Sequence, residues 1–265
     1  MTHPPAPRAL LASALSVTAL LATGCSVADE PRPRWFSASA SPSGVSPSAA
    51  SPAVEQPAGS GAALTEAQAR AALVTETDLG EPWGPTRGAR TWRDGLLKAT
   101  TEDPDCQRLL DVLYTEEPFG TPKGPQATSA LDDGDTEAQL HYRVAAHRPA
   151  DVDRALDWMK SLPGRCGQFT AATTRGGVQG VEVRDLSLPP VGDARQGLRV
   201  TLAGETEEGE LTYLTMDLAA VRVGEEAITL TNAGLDEVYT EVTLQAVQLG
   251  AQRLAELRKQ GRAQI

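Results

Sequence analysis

Three cysteines and three histidines are the most reactive side chains in this 265-residue sequence, and their placement divides them by task. Cys25 stands directly behind an apolar run, while Cys106 and Cys166 lie in the body of the chain with His141 and His147 between them. Two thiols and two imidazoles can hold a divalent metal, or the thiols can oxidise to a bridge. Zinc modules bring their ligands in close sequence pairs, and these spacings do not. With Cys25 otherwise engaged, the other two cysteines form a pair, and in an exported domain such a pair most often becomes a structural disulfide. A Cys106–Cys166 bridge is therefore expected, with metal ligation as the competing reading. Closing that loop of about 60 residues stabilises by ~4 kcal/mol in the chain-entropy model.

The remaining chemistry is sparse. The sequence has no Gly-x-Ser-x-Gly elbow, no P-loop, no Gly-x-Gly-x-x-Gly and no His-Glu-x-x-His. His141 falls on the expected polar side of a strand, where a solvent-facing structural role is the plainer reading. Asp132, Asp133 and Asp135 flank Gly134 and hint at calcium, but the alternate-residue loop and distant Glu of an EF-hand are missing, so a solvated turn is expected. Glu205, Glu207, Glu208 and Glu210 read as another acidic turn. Trp83, Trp92 and Trp158 are candidates for lining a cleft, although in a chain with 4% aromatic residues they are expected in the core or at its edge. No catalytic residue, metal ligand or cofactor is expected.

The elements that must carry these residues begin with an address. His3 and Arg8 precede an apolar stretch from Ala9 to Ala22, too short to cross about 30 Å of hydrocarbon as a helix, which takes roughly 20 residues. Its length and the small residues behind it fit a secretory signal. Leu21-Ala22-Thr23-Gly24-Cys25 then resembles the lipobox of bacterial lipoproteins. That resemblance implies cleavage before Cys25, a diacylglyceryl group on its sulfur and a palmitate-type chain on the new N-terminus. Several chains, each contributing about 0.8 kcal/mol per buried CH₂, make a stable anchor where one does not. Residues 1–24 are thus expected to be a signal peptide, and the mature protein to be held on the extracytoplasmic face of the cell membrane.

Residues 25–63 are expected to be a tether. Ser, Pro, Ala and Gly dominate, with Pro31, Pro33, Pro42, Pro47, Pro52 and Pro57 spread through a segment without hydrophobic period. Such a composition buries too little apolar surface to offset its ordering entropy. The net charge of −11 argues against a nucleic-acid partner, since phosphate binding needs a basic face.

Residues 64–265 read as the folded domain. Thr65-Glu66-Ala67-Gln68 has the form of a capping box, opening a helix to about Glu76. Asp103-Pro104 starts a second helix, on which Cys106, Leu109, Leu110 and Leu113 share one face. Strands are expected at 126–131 and 137–145, the second placing Leu140, Tyr142 and Val144 opposite Gln139, His141 and Arg143. A helix from Pro149 ends near Pro163-Gly164, and a strand runs from Cys166 to Thr173. Further strands fall at 178–186, 197–202, 211–223 and 226–231, the last two turning at Gly224. Asp236 caps a final long helix. Without regular βαβ alternation, the fold class is α+β: an antiparallel sheet with helices packed against it, in a single domain closed by one disulfide.

The order of marks along the domain is itself informative. An Ala-Leu helix runs into Thr77-Asp78-Leu79-Gly80 and Trp83, a Cys follows on a short helix, and Trp158 stands eight residues before Cys166. Val191-Gly192-Asp193-Ala194 and Val221-Arg222-Val223-Gly224 complete the series. This order resembles the actinobacterial sensor-domain lipoproteins and their relative, the extracellular sensor domain of PknH-type receptor Ser/Thr kinases. The resemblance implies an α+β domain with a cleft for a small ligand and no catalysis. That kinase domain has two disulfides, and this chain can form one. Three functions are therefore carried forward: binding of a small ligand, docking of a cell-envelope or membrane protein, and, as the alternative class, hydrolysis of envelope polymers.

Overall fold

The structure, a computed structural model, describes residues 64–263 apart from 91, 137, 206–208 and 236–237. Cys25, the expected tether and the proposed cap Asp236 lie outside the described residues. In chain order the elements are α1 (Glu66–Ala71), α2 (Glu76–Leu79), β1 (Trp83–Pro85), a single wide π-type turn at Arg93–Leu97, β2 (Ala99–Thr100), α3 (Pro104–Thr115), β3 (Gln126–Asp133) and β4 (Gln139–Ala146). There follow α4 (Pro149–Arg165), β5 (Gln168–Thr173), β6 (Val178–Asp185), β7 (Ala194–Glu205), β8 (Leu211–Val223), β9 (Glu226–Leu235) and α5 (Thr240–Ala263). The strands form one nine-stranded sheet in the order β1-β3-β4-β9-β8-β7-β6-β5-β2, antiparallel at every pairing. This is the α+β architecture expected.

Strand β8 explains why helices lie on both faces. Its residues alternate between two cores: Leu214, Met216, Leu218 and Ala220 join one, while Ala219, Val221 and Val223 join the other. Because successive side chains point to opposite faces, an almost unbroken apolar run demands cover on both sides. On the first face α4 packs over β6, β7 and β8, backed by α3. On the second, α5 packs over β8 and β9 with α1 beside it.

Cys106 and Cys166 form the expected bridge, with Cα atoms 5.6 Å apart. Its placement departs from the sequence reading at one end. Pro163 does not stop α4, which continues to Arg165, and Cys166 is the helix C-cap, its N–H donating to the Leu162 carbonyl at 2.6 Å. Burial of Leu162 and Cys166 against the core holds the last turn despite the proline. The bridge thus ties the first turn of α3 to the end of α4. The first helix also departs: it ends at Ala71 with Ala72 as its C-cap, and Thr75 opens the separate α2 with its own capping box. Trp83, Trp92 and Trp158 are core residues, each no more than 9% exposed.

Long-range clasps fix α5. Arg253 reaches back to Asp78 with two hydrogen bonds, at 2.8 and 2.5 Å, and donates to the Leu73 carbonyl at 2.7 Å. The Arg253 guanidinium holds the Asp78 carboxyl down at about 2. Near the other end of the helix Arg258 pairs with buried Glu226 and lies over Gly224. About one turn before Arg253, Gly250 accepts the ring of Tyr142: a Cβ at this position would sit 1.7 Å from the tyrosine hydroxyl oxygen.

Two outcomes test this frame. Gly250→Ala should gain about 1 kcal/mol of helix propensity yet lose more by overpacking, for a net destabilisation of ~2 kcal/mol in urea titrations; an unchanged midpoint would mean α5 does not press on Tyr142. Cys106→Ser should lower stability by a few kcal/mol under oxidising conditions, with calorimetry as the check.

Candidate functional site

The first sheet face is incompletely covered. α3 and α4 lie over its β5–β8 half, and beyond them the β3-β4-β9 part is crossed by the segment that follows α3. Strand alternation puts His141 and Arg143 on this face, and His147 continues it just past the end of β4. Their lateral neighbours are Ala130 and Thr128 on β3, and Thr231 and Thr229 on β9.

Successive residues of the crossing segment engage this row in order. Glu116 meets His141, with Oε2 and Nδ1 2.7 Å apart. Glu117 accepts from Arg143 at 2.6 Å. Phe119 packs edge-on to His147, ring centres 5.4 Å apart at 64°. The segment is launched by the C-cap of α3, where Glu116 adopts the left-handed conformation (φ 59°, ψ 29°) and donates its N–H to Val112. A non-glycine residue there is uncommon and strained, and needs support from its surroundings.

That support is electrostatic. The other oxygen of Glu116 accepts from Arg93 at 2.7 Å and from the Thr231 hydroxyl at 3.1 Å. Burial pushes the Glu116 carboxyl up, but the hydrogen bond and charge of His141, aided by Arg93, outweigh it and hold the group below its usual range. The carboxylate is therefore ionised at neutral pH. His141 Nε2 is buried without a hydrogen-bond partner among the described residues, beside a chamber of about 170 Å³ lined by Thr128, Arg143, Thr229 and Thr231. The sequence reading of His141 as an open solvent-facing residue is thus corrected: Glu116 covers it.

A larger recess of about 770 Å³ lies next door, between α3, the crossing segment and the first turns of α4. Arg108 and Val112 contribute from α3, Phe119 and Lys123 from the segment, and Arg148 and Asp151 from α4. His147 lines it too, only 7% exposed and with no hydrogen bond to its ring nitrogens among the described residues. Burial, with Arg143 and Lys123 nearby, pushes the His147 imidazole below its ordinary value, while Asp151 and Glu117 oppose this.

Other sequence candidates resolve into structure. Asp133 accepts from the backbone N–H groups of Asp135 and Thr136, and Asp132 from Gln139 and the Arg87 N–H. These carboxylates close a hairpin. Glu207 and Glu208 lie outside the described residues. Cys106 and Cys166 come within ligand distance of Asp103, but their sulfurs are joined to each other, so the metal reading is set aside. The pair of motifs at 191–194 and 221–224 proves to be one clasp: Asp193 accepts from the Gly224 N–H at 2.6 Å, and Arg222 reaches Asp153 on α4 at 2.7 Å.

The sequence reading missed Glu116, Arg93 and the special place of His147. A signal was present at two helix ends. Glu116 and Glu117 sit past a helix C-terminus, where the dipole disfavours negative charge, and Arg148 sits at a helix N-terminus, where it disfavours positive charge. Charges at the wrong pole mark tertiary partners.

The chain matches no protein-family model, and no curated protein matches it in sequence. Among solved structures, it is similar to the extracellular domain of PknH from Mycobacterium tuberculosis, with a TM-score of 0.47 and 18% identity over 76% of this chain and 100% of that one. An uncharacterised protein from Rhizobium leguminosarum is similar at a TM-score of 0.25 and 12% identity, over 51% of this chain and 98% of that one. Both likenesses are weak and concern chain path alone.

Glu116→Gly decides which effect governs the crossing segment. Glycine relieves the left-handed backbone by about 1 kcal/mol, whereas losing the carboxylate leaves the largely buried Arg93 with the Tyr114 carbonyl but no counter-ion, at a cost of ~3 kcal/mol. Net destabilisation by ~2 kcal/mol is expected from chemical denaturation; a more stable variant would show that the ionic hub contributes little.

Proposed function

We propose that the protein is a lipoprotein, anchored through Cys25 to the outer face of the cell membrane, whose disulfide-closed domain binds a small ligand or a component of the envelope without turning it over. The observation that carries this reading is the recess beside α4. Its volume of about 770 Å³ falls within the range of small-molecule sites, roughly 300–1,000 Å³, and one of its walls is a buried imidazole with free nitrogens. The order of sequence marks shared with sensor-domain lipoproteins supports the same reading, as does the signal-like N-terminus. No helix among the described residues is long and apolar enough to cross a membrane.

A second reading is favoured by one observation. Glu116 orients His141 as a carboxylate orients a general base, which is what a surface hydrolase would require. The chamber beside His141, about 170 Å³, is small for a polymer, and no hydroxyl hydrogen-bonds to Nε2 among the described residues.

On the full chain, membrane fractionation tests the anchor, and a binding screen with a turnover assay separates the two readings. Cys25→Ala should leave the membrane fraction or accumulate unprocessed. A thermal-shift screen of cell-wall fragments and small anions should raise the melting temperature of the wild type without consumption of the compound. Turnover that is lost in His141→Gln would instead establish the hydrolase.

A further inference from the structure

Helix α4 opens in an electrostatically unfavourable way. Its N-cap is Arg148, no side chain caps its first turn, and its first residue is a proline. The N-terminal end of a 17-residue helix carries partial positive charge even where, as here, Pro149 lacks an N–H and the Asp151 N–H turns back to the Arg148 carbonyl, so a cation there is misplaced unless an anion joins it. Asp151, the one acidic residue of the first turn, is already shared by Arg148 and Arg154. Glu117, the nearest carboxylate from the crossing segment, is held by Arg143.

What faces the recess is then an excess of unsatisfied donors. Lys123 and Arg108 have no carboxylate partner among the described residues, and Arg108 rests its guanidinium on the Trp158 ring, 3.8 Å from the centroid. His147, nine-tenths buried, offers ring nitrogens that no described group meets, held in place by the edge of Phe119. Against these stands Asp157, exposed at the rim. In a chain of net charge −11 this is a local reversal of sign. We propose that the recess is an oxyanion site, built to take a phosphate group between the N-terminus of α4, His147, Lys123 and Arg108. This deepens the ligand-binding reading of the same recess and rests on it.

The competing ligand classes fit less well. A divalent cation finds Glu117 and Asp151 engaged by arginines, with Lys123 alongside. A neutral ligand leaves Lys123 and Arg108 without a carboxylate partner among the described residues, and leaves Arg148 at the positive end of a helix offset only by the Asp151 it shares with Arg154. A phosphate answers each of these groups with oxygen acceptors and negative charge, as anions do at helix N-termini generally.

Binding should also place a proton on His147. Arg143 on β4 and Lys123 on the crossing segment disfavour the imidazolium of His147, while Glu117 and Asp151 favour it. A phosphate dianion adds to the second group, so His147 is protonated in the complex, taking its proton from solvent where phosphate is free as the dianion and from the ligand itself where it is free as the monoanion.

The test uses the full chain in detergent micelles and inorganic phosphate as the probe, followed by NMR of the His147 ring. Millimolar phosphate should move the His147 signals and raise their titration midpoint. The exposed variants Lys123→Gln and Arg108→Gln should each weaken binding about tenfold or more, and His147→Gln should leave only the pH dependence of the ligand's own second ionisation. Parallel titrations with glucose 6-phosphate and with vesicles containing phosphatidic acid identify the carrier of the phosphate: the tighter arm names a soluble ester or a lipid headgroup. If glucose shifts His147 as strongly as its phosphate ester, the oxyanion assignment is overturned and the ligand-binding reading stands. If no probe, charged or neutral, perturbs His147, both are overturned.

Discussion

The structure depends on β8, a strand that has to be kept dry on both faces. From Leu214 to Val223 its apolar side chains are divided between two separate cores. Neither core is complete without helices, and the chain places α3 and α4 on one side and α1 and α5 on the other. The clasps observed elsewhere serve this double cover. Arg253 with Asp78, Arg258 with Glu226, and Arg222 with Asp153 each tie a helix to a distant part of the fold. The disulfide does the same covalently for α3 and α4. Such partly buried ion pairs are weak as sources of net stability, but each fixes the register of one helix on the sheet.

Much of this was legible in the sequence because it is local. Asp103-Pro104 and the apolar stripe behind it define α3, and the run 211–223 defines β8 to the residue. The alternation of β4 correctly sorted Leu140, Tyr142 and Val144 to one core and His141 and Arg143 to the other face. Failures came where tertiary packing overrode local preference. Pro163 reads as a stop, yet α4 passes through it because Leu162 and Cys166 are buried. The Ala-rich first helix reads as continuous to Glu76, yet it breaks at Ala72 where a second capping box begins at Thr75.

The candidate site was the least legible part, for a physical reason. Glu116 acts through Arg93, His141 and Thr231, partners 23, 25 and 115 residues away, and through a left-handed backbone that no propensity favours for glutamate. Periodicity carries no information about such convergence. The sequence does show charges placed at the wrong ends of α3 and α4. An ion at the wrong pole of a helix is a local conflict, and local conflicts tend to be resolved by groups that only the fold brings together.

The position of the Cys106–Cys166 bridge has a mechanical consequence. It joins the beginning of α3 to the end of α4, whereas the recess is lined from Arg108 and Val112 on α3 and from the opening turns of α4. The two helices therefore resemble the arms of a pair of tongs, riveted covalently at one end and held at the other by ion pairs and packing alone, through Glu116, Glu117 and Asp153. α4, at 17 residues, extends roughly 25 Å from that rivet. A small rotation about the rivet becomes a gape several times larger at the mouth, and the sulfur–sulfur bond sets the pivot for any grip that closes there.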